Sequence, residues 1–499
     1  MPRHAITLLL AAALPAAASS RSVVVEERSI DQLGQEMAAG QASSADLVRA
    51  YLKRIAAIDR KGPTLRSIVA INPDALPQAK ALDAERKAGR VRGPLHGVPV
   101  LIKDNIETAD RMPTTAGSLA LKDNLAGRDA PLVAALRAAG AVILGKTNLS
   151  EWANIRSNRS VSGWSATGGL VRNPYALDRT ACGSSSGSGA AVAASLAAAA
   201  VGTETDGSIL CPSSMNGLVG FKPTLGLVSR THVVPISHSQ DTPGPMARSV
   251  RDYAAGLSTS ALSGLRVAVL RPEMAPELAA RFDAAIAVLR AAGAALVTVE
   301  RPSREGLGAA EQLVLHTELK ADLDAYLATT PPAVTARTLD QVIAFNAAHA
   351  SAEMPFFGQE TFEAAARTTG LDDPAYKAAR ALSLRRAGAE GIDAMLKAAN
   401  ATVLVQPAYG AAWLSDPVNG DQYDGPSASQ LAAVAGYPNL TVPMGLVQGL
   451  PVGLSFVATR GGDAVVLGAG YAYEQRARRR TAPLYRRTAD IGPGLDPRR

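Results

Sequence analysis

Only two cysteines and six histidines occur among the 499 residues of this chain. Two thiols cannot build a disulfide-dense scaffold or a four-thiolate zinc site. The histidines show no metal-ligand spacing, and no histidine is placed beside Cys182 or Cys211. No metal, no cofactor and no thiol nucleophile is therefore expected. Free, buried thiols are the expectation for Cys182 and Cys211, with pairing the alternative for an exported protein. Aromatic residues make up 4% of the chain against a hydrophobic content of 47%. The core must come mainly from Ala, Val and Leu, which suits a helix-covered sheet better than an aromatic-packed barrel. No stretch beyond the N-terminus is long and apolar enough to span a bilayer, so no stable membrane insertion is expected. Internal repeats and Gly/Ser/Pro-rich linkers are also missing, and residues 26–490 read as one compact unit.

Charge is plentiful but nearly balanced, with 51 Lys and Arg against 44 Asp and Glu, a net +7. Arginines crowd the C-terminus (Arg476, Arg478, Arg479, Arg480, Arg486, Arg487, Arg498 and Arg499). Only Tyr473 and Tyr485 lie close by, too few for a base-stacking platform, so this is read as a solvated tail with no nucleic-acid partner. At the other end, Arg3 and His4 precede an apolar run from Ala5 to Leu14, and Ala16, Ala17 and Ala18 offer small residues for cleavage near Ser19. Residues 1–18 thus read as a secretory signal peptide, and the mature chain is expected in a bacterial periplasm or outside the cell.

Three segments carry chemistry. Gly97-Val-Pro-Val-Leu-Ile-Lys103 places a lysine at the end of an apolar strand, where burial favours the neutral amine that a base requires. Cys182-Gly-Ser-Ser-Ser-Gly-Ser-Gly189 and Gly202-Thr-Glu-Thr-Asp-Gly-Ser208 are loops rich in glycine and serine, whose small residues permit tight backbone. A serine hydroxyl needs a base within reach and donors for the developing oxyanion before it attacks an amide. Lys103, a second serine and a row of backbone N–H groups at Thr205, Asp206, Gly207 and Ser208 can supply both without histidine.

These three segments resemble the amidase signature family, whose members share a Lys–Ser–Ser triad. The resemblance covers nearly the whole chain from about Ile30. Residue by residue it implies Lys103 as base, Ser184 as the bridging serine on a cis peptide bond, and Ser208 as nucleophile. The spacing between Ser184 and Ser208 is the family's. Cys182 and Ser186 stand at two positions where the usual first loop has glycine, and Asp206 replaces a glycine in the second. These variants, with Asn148-Leu-Ser-Glu-Trp-Ala-Asn154, are similar to the bacterial peptide amidase branch, which removes ammonia from C-terminal peptide amides. The resemblance implies an α/β fold, a large twisted mixed β-sheet with helices on both faces. It implies hydrolysis of carboxamides, with a broad small-molecule or aryl amidase as the alternative. Weaker readings are a non-catalytic peptide-binding protein and an amidotransferase A subunit. A monomer or homodimer is expected. Asp206 is read as facing substrate or a polar network, and Ser185 as a support for the relay.

Two other matches fail on context. Gly183-Ser-Ser-Ser-Gly187 fits the nucleophile elbow of α/β-hydrolases, with Ser185 as nucleophile, but no downstream His stands in a distinctive setting. Gly140-Ala-Val-Ile-Leu-Gly-Lys-Thr147 fits the P-loop pattern, but its variable residues are themselves a strand following a helix.

Periodicity gives two helices over Ser29–Asp59, the second capped by Ser44. Strands are expected at Ser67–Ile71, Val98–Ile102, Ala141–Leu144, Leu265–Leu270, Ala295–Val299, Ala401–Val405, Pro438–Pro443 and Leu454–Val457. Helices are expected at Pro77–Lys87, Pro131–Ala139, Ala190–Ala200 and Phe282–Ala291. The segment Asp241-Thr-Pro-Gly-Pro245 reads as a turn. The catalytic core is placed at about 90–260 plus the C-terminal strands. Residues 303–399 read as mostly helical and substrate-shaping, with Trp413 and Tyr423 on later loops that reach the pocket.

Overall fold

A computed structural model describes residues 23–254 and 256–489; the expected signal peptide lies outside them. The chain opens with helices α1 (Ile30–Ala38) and α2 (Ser44–Arg54), strand β1 (Ile68–Ile71) and α3 (Ala75–Lys87). Then come β2 (Pro99–Lys103), α4 (Pro131–Ala138), β3 (Val142–Thr147) and a small separate ribbon, β4 (Trp164–Ser165) with β5 (Gly169–Leu170). Next follow α5 (Ser186–Ala193), β6 (Ala199–Glu204), α6 (Leu210–Met215), β7 (Val219–Lys222) and β8 (Thr242–Ala247). A strand–helix–strand unit of β9 (Arg266–Leu270), α7 (Pro276–Ala291) and β10 (Ala295–Val299) leads into the helical region. That region holds α8 (Leu307–Leu327), α9 (Leu339–Ala348), α10 (Ala350–Glu353), α11 (Glu360–Ala366), α12 (Pro374–Leu384) and α13 (Asp393–Ala399). The chain returns through β11 (Val403–Pro407), α14 (Gln430–Ala435), β12 (Asn439–Val447), β13 (Leu450–Val457) and α15 (Asp463–Ala477).

Eleven strands form one mixed sheet in the order β1-β3-β2-β6-β8-β7-β12-β13-β11-β9-β10. β2 runs parallel to both β3 and β6, while β6, β8, β7, β12, β13 and β11 alternate antiparallel. Successive side chains of a strand point to opposite faces, and both faces are apolar here. Val267 and Val269 of β9 pack with α7 and α15, while Ala268 and Leu270 pack with α13. Leu101 of β2 joins the cluster under α2 and α5, while Val100 and Ile102 face the cluster containing Val133 of α4. The fold is α/β with helices on both faces, as expected.

Three local readings are corrected. Ser43, not Ser44, caps α2, and it forms a capping box with Asp46; Ser44 spends its hydroxyl on the Gly97 carbonyl at 2.8 Å. The alanine-rich run does not form one helix through Ala200. α5 ends at Ala193, Ser195 turns the chain with a φ of 55°, and Ala199–Val201 pair with Val100–Ile102. Sheet pairing beside β2 outweighs the helix preference of alanine. Asp241–Pro245 is largely strand β8, despite two prolines. Pro243 and Pro245 share the parity of Ala247, whose N–H turns to the Tyr253 hydroxyl at 2.9 Å. The prolines' missing N–H groups therefore face the β7 side, where β8 is paired only at Met246 and Ala247.

Candidate active site

The carboxyl ends of β2 and β6 lie side by side, and the site grows from them. Lys103 is the last residue of β2 and is fully buried. Its Nζ donates to Ser184 Oγ at 2.7 Å, to Thr203 Oγ1 at 2.8 Å and to the Thr203 carbonyl at 3.3 Å. Asn105 Nδ2 donates to the same Thr203 hydroxyl at 3.0 Å. Burial pulls the Lys103 amine down from 10.5 to about 7, against the opposing pull of Asp241 and Glu204. Near neutral pH the amine is thus divided between its charged and neutral forms.

Ser184 sits in the loop that enters α5, after a cis peptide bond between Gly183 and Ser184, as the family resemblance implied. Its carbonyl accepts from the Ser150 N–H at 3.1 Å. Beside it, the Ser185 N–H donates to the Ser208 carbonyl at 3.1 Å, which draws the two catalytic loops together. The Ser185 hydroxyl is taken up by Thr203, donating to its carbonyl at 3.1 Å and accepting its N–H at 3.2 Å. Ser185 thus braces the end of β6, and its hydroxyl is committed to structure.

Ser208 lies between β6 and α6 and is 8% exposed. Gly207 before it has a φ of +83°, and a Cβ there would collide with the Tyr409 hydroxyl; glycine is required on both counts. Glu204 accepts the N–H groups of Ile209 and Leu210 at 2.8 and 3.0 Å, securing the start of α6. Among the described residues, no hydrogen bond is donated by the backbone N–H groups of Asp206, Gly207 or Ser208. Such a row of N–H groups is suited to a developing anion. Among the described residues no hydrogen bond joins the Ser184 and Ser208 hydroxyls. A catalytic contact of this kind often tightens only when substrate is bound.

Asp206 turns into a polar network. Burial raises its carboxyl, while Ser429, Arg304 and Lys222 favour its charged form. Nearby Glu311 is pushed up to about 8 by burial and by the Asp206 charge. Thr205 Oγ1 donates to Asp241 Oδ1 at 2.6 Å, and burial lifts Asp241 to about 6. Gln240 and Glu311 carried no sequence signal for a role here and meet the motif loops only through tertiary contacts, whereas Thr203 lies in the second motif loop itself.

The cysteines are not free. Cys182 and Cys211 form a disulfide with Cα atoms 5.9 Å apart. Each flanks a catalytic loop, and bringing Ser184 and Ser208 together brings the cysteines within bonding range. Leu210, Tyr409, Trp413 and Tyr423 pack around the bridge, so both aromatic residues singled out from the sequence stand beside the start of α6. Trp413 Nε1 donates to Asp421 Oδ1 at 3.0 Å.

Among the described residues, His238, Glu318 and Asp322 place ligand-type atoms within 4.8 Å of one another. Glu318 is already occupied by Ser237, the Ser239 N–H and the Tyr376 hydroxyl. No described helix is long and apolar enough to cross a membrane.

Comparison with known proteins points to amidases. The chain is similar to the native peptide amidase of Stenotrophomonas maltophilia, with 48% identity and a TM-score of 0.86 over 92% of this chain and 99% of that one. A peptide amidase bound to the competitive inhibitor chymostatin superposes with a TM-score of 0.88 at 48% identity, over 92% of this chain and 99% of that one. A probable amidase of Arabidopsis thaliana is 35% identical, covering 96% of this chain and 97% of its own length. The glutamyl-tRNA(Gln) amidotransferase A subunit of Symbiobacterium thermophilum is 34% identical, covering 89% of this chain and 96% of its own length. A sequence model described as Amidase matches residues 46–261 and 255–467, and the chain, an amide-hydrolysing enzyme, belongs to the amidase family.

Proposed function

We propose that this enzyme hydrolyses the C-terminal carboxamide of peptides, releasing ammonia, with Ser208 as nucleophile and Ser184 and Lys103 as its proton relay. The observation that carries the relay is the 2.7 Å contact between Lys103 Nζ and Ser184 Oγ in a fully buried setting that brings the amine to about 7. The peptide substrate is supported by the similarity to two peptide amidase structures.

In this reading Ser208 Oγ attacks the carbonyl carbon. Its proton passes to Ser184, whose own proton goes to neutral Lys103. The N–H groups of the 205–208 segment receive the oxyanion. Collapse breaks the C–N bond as Ser184 hands a proton to the leaving nitrogen and recovers one from Lys103. Ammonia departs, and a water molecule activated by the same relay frees the acid and restores Ser208.

The test is ammonia release from a blocked dipeptide amide, with Ser208→Ala as the blank. Release that vanishes in the variant is expected. A folded protein that releases none would move the substrate to aryl or other small carboxamides. Similarity to an amidotransferase component favours a second reading, glutamine-derived ammonia delivery to a partner. Glutaminase activity that appears only with partner proteins would support it. Export to an oxidising compartment is part of the proposal, supported by the signal-like N-terminus and the disulfide.

A further inference from the structure

Helix α8 carries Glu311, Glu318 and Asp322, spaced as i, i+7 and i+11, a stripe along one helix face. All three engage one short segment, residues 236–241, just before β8. Gln240 Nε2 donates to Glu311 Oε1 at 3.0 Å. Ser237 Oγ donates to Glu318 Oε2, and the Ser239 N–H donates to the same oxygen at 3.2 Å. The His238 N–H donates to Asp322 Oδ2 at 2.6 Å, and its ring Nδ1 lies 3.0 Å from that oxygen. The second oxygen of Glu311 accepts from Gln430 Nε2 at 2.7 Å, which ties α14 into the same clamp.

The other side of this segment holds Thr205. Asp241 takes the Thr205 hydroxyl at 2.6 Å while its other oxygen accepts the N–H groups of Ile236 and Ser237 at 2.8 and 2.9 Å. Gln240 Nε2 also donates to the Thr205 carbonyl at 3.3 Å. Its amide nitrogen thus bridges two acceptors, Thr205 O and Glu311 Oε1. Only the NH₂ side of the amide meets both. In a planar trans peptide the carbonyl and the following N–H point in opposite directions. Holding the Thr205 carbonyl toward Gln240 therefore aims the Asp206 N–H the other way, as the first of the three N–H groups that donate to no acceptor among the described residues.

We infer that Gln240 is a positioning residue for amide hydrolysis: clamped to α8 through Glu311, it fixes the plane of the Thr205–Asp206 peptide and so the aim of an oxyanion donor. This rests on the proposed roles of Ser208 and the 205–208 segment. The clamp also makes α8, in the helical region, a structural partner of the catalytic loop.

The experiment uses Gln240→Met, which keeps bulk and loses the donor, with Gln240→Asn, which keeps the amide and loses reach. Glu311→Met and Glu311→Gln follow, the latter retaining an acceptor for Gln240. Rates are measured on a blocked dipeptide amide. Affinities are measured for a peptide trifluoromethyl ketone, which mimics the tetrahedral adduct, and for the matching peptide acid. In Gln240→Met, Gln240→Asn and Glu311→Met, kcat is expected to fall about 10- to 100-fold, with KM within about threefold. Ketone affinity should fall with kcat, and acid affinity should hold. Glu311→Gln should stay within about threefold of the parent kcat. Unchanged kcat, or equal loss of affinity for both ligands, would overturn the inference. Ser208→Ala is run alongside. Activity surviving in it would sink the proposed nucleophile, whereas an inactive Ser208→Ala with an unaffected Gln240→Met sinks the positioning role alone.

Discussion

Lys103 is the base of the proposed relay, and its setting has a thermodynamic cost. The folded protein binds this proton with a pKa of about 7, against 10.5 ordinarily. A buried amine with a lowered pKa makes the folded state the poorer proton binder. Its burial therefore costs stability below pH 10.5, the cost grows as pH falls toward 7, and it is constant beneath that. The bound on that cost is about 5 kcal/mol. The catalytic consequence has the opposite slope: only the neutral amine accepts a proton, so kcat/KM should rise about tenfold per pH unit up to about 7 and then level off. Initial rates of ammonia release across that range check it. A flat profile would remove Lys103 as the titrating base.

At the scale of elements, the site is an agreement between two loops. One runs from Cys182 through Ser184 into α5, and the other carries Ser208 into α6, where Cys211 is the second residue. The disulfide spans a sequence separation of 29 and ties the loops covalently. Replacing both cysteines by serine should lower unfolding stability by about 3–4 kcal/mol, read by chemical denaturation. It should also lower kcat by about tenfold or more as the relay serines lose their tether. Activity and stability both equal to the parent's would show the bridge to be idle.

Elements also show why some of this was legible in advance. Lys103 announced itself because an apolar strand ends in a charge, which is rare without a reason. Ser184 and Ser208 stood in loops of glycine and serine with recognisable spacing. The Ala190–Ala200 run misled because alanine favours helix, while the strand there is imposed by β2. Pro243 and Pro245 misled because their tolerance depends on how far β7 extends. Gln240 and Glu311 were invisible: they are 71 residues apart, and neither lies in a patterned loop. The pairing of Cys182 with Cys211 was open for the same reason, since only the fold brings the two loops together.

At the scale of the whole molecule, the helical region is fastened to the sheet core by buried charge as well as by apolar packing. Arg156 is fully buried, its Nε is 3.2 Å from Glu151 Oε1, and its Nη1 donates to the Glu353 carbonyl of α10 at 2.6 Å. Its guanidinium lies 4.3 Å from the Phe357 ring centroid. Glu353 in turn accepts the Leu119 N–H at 2.6 Å. Removing one partner of a buried pair strands the other, so Arg156→Ala should cost about 3–5 kcal/mol in denaturant unfolding. A loss under about 1 kcal/mol would show that the tie bears little load.

The covalent bridge between the two catalytic loops has a consequence in time. A polypeptide just leaving the ribosome in a reducing cytosol carries two thiols where the mature protein has a bond. Under the proposed export, its amide-cleaving centre would gain the tether between its loops only in an oxidising space, so transport and full activation would coincide. Peptide amides met along the way would then be cleaved more slowly, without any inhibitor. A recombinant preparation from a reducing cytosol should accordingly contain two populations, separable by thiol titration and unequal in specific activity.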